Sequence, residues 1–600
     1  MTAPTPPTDG DIALACMAQL AGELHRHALR DVCISPGSRS TPLTLAFARH
    51  GGFRVHVHLD ERSSAFYALG VARAAGRPVA VVCTSGTAVA NWLPAVVEAS
   101  MSGIPLLLLS ADRPPGLRGT GANQTIDQVG IFGGFVRWAV DAPCPATGPD
   151  AVHLWRSLAA EAVTRAVGPV PGPVHLNLPF TEPLVPSGVA VDLGFPAPPG
   201  PARSHSPEAV AEPEPGMVEE LAELVRATER GLVLAGGLDR AGGPGGGAAV
   251  ARLAAAAAWP LLAEPTSGLR TGPPALAAGT LLLGAAGFAE LRVPELAIQF
   301  GSTPTSRSVL AASARARRLV VVTPPGTEAD PGRAAWMTVR CDPAVLAASL
   351  VARVAPRGAT PWLRDWSEAD RLVAAAVAAW MEGLGDELFE GRVARDLAAC
   401  LPDGGTLFAG SSMPIRDLDS FMLPRPGLWV VGNRGASGID GSVSTALGLA
   451  AGVRSSDGAP GTRTFALIGD LAFLHDAGAL VWGAGRGHDA VIVVINNGGG
   501  GIFGILDQSR LPEHEALFAT SHGIDLAALT LAAGAGHQRV TRAVDLVPAV
   551  TAARAGGGVQ VIEVRTERRR NAELHRAVVA AVETVVAGLT VPPPAGGIGG

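Results

Sequence analysis

Residues 465–503 read FALIGDLAFLHDAGALVWGAGRGHDAVIVVINNGGGGIF, and the rest of the chain is best read outward from them. The apolar run 465–468 stops at Gly469-Asp470, and the longer, β-branched run 490–495 stops at Asn496-Asn497. One helix, about residues 474–485, is expected between them. Two buried runs joined by a helix predict a βαβ unit with parallel strands, which brings Asp470 and Asn497 to the same C-terminal edge of a sheet. Open α/β sheets bind ligands at that edge. A carboxylate and an amide oxygen are hard ligands suited to Mg²⁺, a cation that favours sites shared with the phosphates of a ligand. The glycines at 498–501 let the backbone turn tightly and approach a ligand, and a carbonyl of that run, most simply that of Gly499, is a third candidate ligand. A Gly-Asp pair alone reads equally well as an ordinary strand end. The specific signal is Gly-Asp, then 25 residues, then Asn-Asn, with both pairs on strand tips.

A chain of 600 residues is too long for one core, and about three or four domains are expected. Hydrophobic residues make up 48% and charged residues 17%, which places the chain among well-buried globular proteins. The net charge of −6 provides no basic field for nucleic acid. Every basic side chain is Arg or His; there is no lysine. That excludes a Walker A phosphate loop, a pyridoxal phosphate Schiff base and a lysine aldolase, and it leaves anion recognition to arginine, which binds carboxylates bidentately. The excess of Ala, Gly, Arg and Pro points to GC-rich coding as the cause of the absence. The 6 cysteines, Cys16, Cys33, Cys83, Cys144, Cys341 and Cys400, form no CxxC or zinc spacing and suit a reducing cytoplasm. No signal peptide is expected, and the uncharged run 271–289 is broken by Pro273-Pro274, so no membrane span is expected either.

The chain then falls into order: a polar start, a first domain at 10–185, a Pro/Gly/Ser-rich linker at 186–216, a middle domain at 217–354, a short break at 355–361, a third domain at 362–588, and a disordered tail at 589–600. In the first domain, strands at 31–34, 55–59, 79–83 and 106–109 each end in polar residues that feed a helix or loop. This predicts a doubly wound parallel sheet with one functional rim. That rim carries Ser38 and Arg39, then Glu61, then Arg113, and a following loop with Asn123 and Gln124. In the middle domain the strand and turn at 231–237 fail the G-x-G-x-x-G spacing of a dinucleotide site. Strands at 406–409 and 428–431 end in segments holding Ser412 and Arg416, and Arg434, so the third domain repeats the plan of the first without a usable sequence repeat.

The stretch 465–503 resembles the diphosphate-and-metal motif of thiamine diphosphate enzymes, Gly-Asp-Gly, a helix, then Asn-Asn, with Leu471 in place of the second glycine. The blocks ISPGSRSTPL, HLDERSSAFYALG, CTSGTAVAN, SADRPP and GANQTIDQ, in one order between residues 34 and 128, resemble one branch of that family. This branch is the 2-succinyl-5-enolpyruvyl-6-hydroxy-3-cyclohexene-1-carboxylate synthases of menaquinone biosynthesis, in which Leu471 is also the expected residue. The resemblance implies an α/β fold of three doubly wound parallel-sheet domains (pyrimidine-binding, middle and diphosphate-binding), with no cofactor in the middle one. It implies decarboxylation of 2-oxoglutarate and addition of the succinyl carbanion to isochorismate, with thiamine diphosphate and Mg²⁺ (or Mn²⁺), in a cytoplasmic homodimer or homotetramer with active sites between subunits.

It also implies roles. Glu61 polarises the aminopyrimidine of the cofactor; Asp470, Asn497 and the Gly499 carbonyl hold the metal, with Gly469, Leu471 and Ser412 beside the cofactor and Ile502, Phe503 and Leu506 as its apolar wall. Arg39, Arg113, Arg307, Asn123 and Gln124 face isochorismate, with Ser38 a further substrate contact; Ser412, Arg416 and Arg434 take the carboxylate of the succinyl unit. Catalysis is expected to rest on Glu61, Arg39, Arg113, Gln124 and Arg416. Read alone, each of these residues has an ordinary alternative: a first-turn helix Glu, a surface salt-bridge Arg, a core Ile or Phe. Two rival readings stay open, a pyruvate-type thiamine diphosphate enzyme and a silent binding protein on the same fold. The five rim arginines speak against the first, and the presence of Glu61, Asp470 and Asn497 against the second.

Overall fold

The computed structural model describes residues 6–193, 211–238, 247–457 and 464–590. The first residues of the polar start, much of the first linker and the last ten residues of the expected tail lie outside the described residues. Among the described residues no helix is long and apolar enough to cross a membrane.

The architecture is set by three parallel sheets. The first holds β1 (Asp31–Ile34), β2 (Arg54–Val57), β3 (Val79–Cys83), β4 (Leu106–Asp112), β5 (Trp138–Asp141) and β6 (Val174–Pro179), in the order β2-β1-β3-β4-β6-β5. The middle sheet holds β7 (Gly231–Ala235), β8 (Leu261–Ala263), β9 (Leu296–Phe300), β10 (Arg318–Thr323) and β11 (Met337–Arg340), in the order β11-β10-β9-β7-β8. The third holds β12 (Gly405–Ala409), β13 (Leu428–Val431), β14 (Thr464–Gly469), β15 (Ala490–Asn496), β16 (Gly536–Val540) and β17 (Val559–Arg565), in the order β13-β12-β14-β15-β17-β16. Every residue of the central strands β3, β4, β9, β12 and β15 is buried, as expected of parallel strands covered on both faces.

The third sheet repeats the strand order of the first, strand for strand. The kinship expected of these two domains therefore lies in hydrogen-bond topology. Each sheet has an inner reversal of strand order, between β1 and β3, between β7 and β9, and between β12 and β14, and the first and third turn back again at one edge, where β6 lies inside β5 and β17 inside β16. Ligands enter doubly wound folds at such reversals. At the reversal of the middle sheet the two turns bond to each other: Gly237 N donates to Ser302 Oγ (2.8 Å) and Ser302 N to the Gly237 carbonyl (3.1 Å).

Two expectations need correction. The single helix at 474–485 is in fact two, Asp470–His475 and Ala477–Gly483. The break falls at Asp476, whose buried carboxylate accepts from Ser444 N (2.6 Å) and Ser444 Oγ (3.0 Å). The second strand is shorter than expected, ending at Val57 instead of residue 59, and the fourth is longer, reaching Asp112.

The chain separates into two compact units: the described residues within 1–209, 433–461 and 475–488, and those within 210–432, 462–474 and 489–600. In the first unit the helices Glu61–Ala75 and Ser442–Asp457 cross at very close range. A Cβ on Gly448 would lie 2.1 Å from the Tyr67 carbonyl oxygen, and one on Gly70 would lie 2.3 Å from that of Thr445, so only glycine permits the crossing. In the second unit one core joins Leu232 and Leu234 of the middle sheet to Trp362 and Trp366 on the helix Pro361–Gly383, and to Val578 and Val582 on the helix Arg568–Thr590.

Candidate active site

The two strands of the expected βαβ crossover both lie in the second unit. β14 and β15 pair in parallel with Gly469 opposite Ile495, so both strands end at the same edge. Asp470 is the first residue of its helix and is 1% exposed. Its Oδ1 accepts from Leu471 N (2.7 Å) and its Oδ2 from Gly499 N (2.9 Å). Burial raises its carboxyl above the usual Asp range, partly opposed by these bonds and by His522, whose Nε2 lies 3.3 Å from Oδ2.

The two asparagines at the end of β15 do different work. Asn496 Oδ1 accepts from Gly498 N (3.2 Å) and its Nδ2 donates to Glu563 (2.7 Å), which fixes the turn. Asn497 Nδ2 donates to Glu390 Oε1 (3.0 Å), while Asn497 Oδ1 is buried with no hydrogen-bond partner among the described residues. A buried carbonyl-type oxygen without a donor costs about 1–3 kcal/mol unless a ligand satisfies it. Gly499 has φ +148°, and a Cβ there would sit 2.2 Å from the Ala519 carbonyl oxygen, so this turn requires glycine. The Gly499 carbonyl accepts from Gly501 N (2.9 Å) and keeps a second lone pair. A Cβ on Gly469 would meet nothing within 4 Å, so the space beside the end of β14 is open. A carboxylate, an unsatisfied amide oxygen and a carbonyl, all at one strand edge, fit a hard divalent cation.

β12 ends beside β14, with Gly410 N donating to the Leu467 carbonyl (2.8 Å). The reversal of this sheet therefore sets Ser412 and Arg416 at the end of the strand next to that of Asp470. Ser412 has φ +83°, ψ −133°, a conformation rarely tolerated outside glycine and found most often where a site imposes it. Arg416, one turn on, donates to the Ser412 carbonyl (2.6 Å). Ile502, Phe503 and Leu506 are half-buried directly after the glycine run, and the Phe503 ring lies 5.7 Å from that of Phe518. Arg307 stands apart: it is exposed at the start of the helix Arg307–Ala314 and has no hydrogen bond or ion pair among the described residues.

The first unit gathers the basic residues of the other rim. Arg39 is buried and donates to the Phe180 carbonyl (2.9 Å) and to Glu182 (2.7 Å). Arg113 donates to the Gln124 carbonyl (2.9 Å) and to Ser85 Oγ, and Gln124 Nε2 donates to the Ser85 carbonyl (2.9 Å). Desolvation and then the nearby Arg39 lower the guanidinium of Arg113 below the usual Arg range. Glu182 pairs with Arg39, whereas Arg113 makes no ion pair among the described residues. Ser38 and Asn123 are exposed, and their carbonyls accept from Thr41 and Thr125. Arg434 lies in this unit, whereas Ser412 and Arg416 lie in the other.

Glu61 opens its helix behind Asp60, which caps it by accepting from Arg62 N (2.8 Å) and Ser63 N (3.4 Å). The Glu61 carboxylate is half-buried and has no hydrogen-bond or ion-pair partner among the described residues.

The sequence reading missed Ser85, which ties Arg113 to Gln124, and Glu390 and His522, which touch Asn497 and Asp470. Glu390 stands 107 residues before Asn497 and carries no motif, so nothing local could have marked it.

Family models cover most of the chain: the N-terminal TPP binding domain of thiamine pyrophosphate enzymes over residues 15–131, their middle domain over 208–409, and their C-terminal TPP binding domain over 421–564. A 2-succinyl-5-enolpyruvyl-6-hydroxy-3-cyclohexene-1-carboxylate synthase of Thermobifida fusca is 44% identical, covering 94% of this chain and 98% of its own. A protein of the same name from Chloroflexus aurantiacus is 42% identical, covering 96% and 97%. In fold, the chain is similar to a benzoylformate decarboxylase from Polynucleobacter necessarius, with a TM-score of 0.68 at 18% identity over 92% of this chain and 98% of that one. It is equally similar to a putative thiamin diphosphate-dependent enzyme from Mycobacterium smegmatis, with a TM-score of 0.68 at 19% identity over 92% and 99%. The family models and the relatives covered nearly end to end agree: the chain belongs to the 2-succinyl-5-enolpyruvyl-6-hydroxy-3-cyclohexene-1-carboxylate synthase family of thiamine pyrophosphate enzymes.

Proposed function

We propose that the chain joins 2-oxoglutarate to isochorismate with loss of CO₂, giving 2-succinyl-5-enolpyruvyl-6-hydroxy-3-cyclohexene-1-carboxylate in menaquinone biosynthesis. The observation that carries this reading is the name shared by relatives that are 44% and 42% identical along nearly their whole length. The two rims support it, since both substrates are carboxylates and both rims are lined with arginine. Bound thiamine diphosphate supplies the electron sink that the decarboxylation and the new carbon–carbon bond require.

The residues of this chain have four tasks in the proposal. Glu61, with no other partner among the described residues, holds a proton against a ring nitrogen of the aminopyrimidine. Asp470, Asn497 Oδ1 and the Gly499 carbonyl hold Mg²⁺ or Mn²⁺ for the diphosphate, beside Gly469, Leu471 and Ser412; Ile502, Phe503 and Leu506 keep water from the apolar side. Arg39, Arg113, Gln124, Ser38, Asn123 and Arg307 bind and orient isochorismate. Ser412, Arg416 and Arg434 hold the carboxylate of the succinyl unit. The domains run over 10–185, 217–354 and 362–588, and the active enzyme is a cytoplasmic homodimer or homotetramer with active sites between subunits. Six unpaired cysteines support the reducing compartment.

The test is isochorismate absorbance with Mg²⁺ and thiamine diphosphate, with 2-oxoglutarate in one cuvette and pyruvate in another. Loss of isochorismate with 2-oxoglutarate alone supports the proposal. Release of CO₂ from pyruvate without loss of isochorismate moves the enzyme to the decarboxylase or acetolactate class.

A further inference from the structure

We propose that Glu390, on the helix Glu390–Cys400, is a positioning residue that fixes the orientation of the Asn497 amide and thereby sets the affinity of the site for a divalent cation. The inference rests on the reading of Asp470 and Asn497 as cation ligands.

A primary amide has one acceptor end and one donor end, and only the acceptor end can bind a cation. Left alone, the Asn497 side chain can turn either end to the site, and turning the donor end would set an N–H where a cation must sit. Glu390 decides between them. Its Oε1 accepts from Asn497 Nδ2 (3.0 Å) and from Thr566 Oγ1 (2.9 Å). With two donors on it, this oxygen carries no proton whatever the ionisation of the group. The donor end of the amide is thereby held, and Oδ1, buried and without a donor, is left for the cation.

Packing alone does not explain a carboxylate here. Glu390 is 2% exposed and makes no ion pair among the described residues; a buried acid without a cation costs stability, and a positioning role accounts for its presence. Its backbone is also anchored: its own N–H donates to Asn571 Oδ1 (3.2 Å) on the helix Arg568–Thr590, while Thr566 Oγ1 holds the same carboxylate oxygen that receives the amide. Residues that orient a ligand from behind in this way typically change metal affinity by about 10- to 100-fold when removed.

The experiment is calorimetric titration of Mg²⁺ into the full-length, metal-stripped protein with saturating thiamine diphosphate, with thermal melts to confirm folding. Glu390→Ala should weaken Mg²⁺ binding about 10- to 100-fold. Glu390→Gln, which keeps an oxygen for both donors, should stay within about 3-fold of the parent. The decisive comparison uses Asn497→Asp, whose two oxygens are alike and need no orienting. In that background Glu390→Ala should cost little or nothing, because there is no amide left to orient. Equal losses in both backgrounds would make Glu390 merely structural and overturn the inference, as would wild-type binding by a folded Glu390→Ala protein. Should Glu390→Ala not fold, Glu390→Met gives the same comparison at similar volume. Asp470→Ala separates the two levels: if it leaves Mg²⁺ binding intact, the ligand reading falls and this inference with it. If it abolishes binding while a folded Glu390→Ala protein binds Mg²⁺ as the parent does, this inference falls alone.

Discussion

Glu61→Gln separates catalysis from folding at a single atom. The carboxylate has no hydrogen-bond or ion-pair partner among the described residues, so the substitution breaks no contact. The helix cap stays, since Asp60 makes the bonds to Arg62 N and Ser63 N. What is lost is one negative charge in the first turn, about 0.3–1 kcal/mol through the helix dipole. The melting curve should therefore be nearly that of the parent. Turnover should not be. If Glu61 holds the proton that polarises the cofactor, its loss removes a general acid–base contribution of about 10²- to 10⁴-fold, or about 3–5 kcal/mol of barrier. The assay is initial rate at saturating cofactor and both substrates, alongside circular dichroism melts. Wild-type turnover in the variant would refute the role. A collapse of the melt would refute the premise that this carboxylate is free.

Other outcomes follow from the same geometry. Asp470→Ala should abolish metal-dependent binding of thiamine diphosphate in calorimetry, and the buried Gly499 N–H group it orphans should cost about 1–3 kcal/mol in stability. Gly448→Ala should destabilise by about 1–3 kcal/mol in denaturant melts, because its Cβ would meet the Tyr67 carbonyl at 2.1 Å and force apart the helix that carries Glu61. Asp476 is raised by burial to about 6, against an ordinary 3.8. Its proton is thus held more tightly in the folded chain, so its contribution to stability is fully present below pH about 4 and is lost as pH rises through about 6. Asp476→Asn should remove that slope, up to about 3 kcal/mol, from the pH dependence of the melting free energy between pH 4 and 7.

What could be read from the sequence was local. Buried β-branched runs ending in Gly-Asp or Asn-Asn identify themselves, and the parallel crossover then places Asp470 and Asn497 at one edge without knowledge of the rest. The helix break at Asp476 was not legible, because the Ser444 groups that draw its carboxylate are 32 residues away. Nor were the outer strands: β5 is half-exposed and sits at a sheet edge, where the apolar pattern fades. The kinship of the first and third sheets lives in strand order, which leaves no residue-level repeat. Arg39 and Arg113 stood out as cations, but their closeness, and the role of Ser85 in holding Arg113 against Gln124, appear only once β1, β3 and β4 lie side by side. The orphaned oxygen of Asn497 depends on Glu390, and so on the fold itself.

The most direct measurement follows carbon. The enzyme, with Mg²⁺ and thiamine diphosphate, is given isochorismate and 2-oxoglutarate labelled with ¹³C at either C1 or C5, and both the gas and the organic product are weighed by mass spectrometry. The account predicts that the C1 label leaves wholly as CO₂, and that the C5 label appears in a product carrying all the carbons of isochorismate and four from 2-oxoglutarate. Labelled CO₂ with unchanged isochorismate, or a product retaining C1, would contradict it.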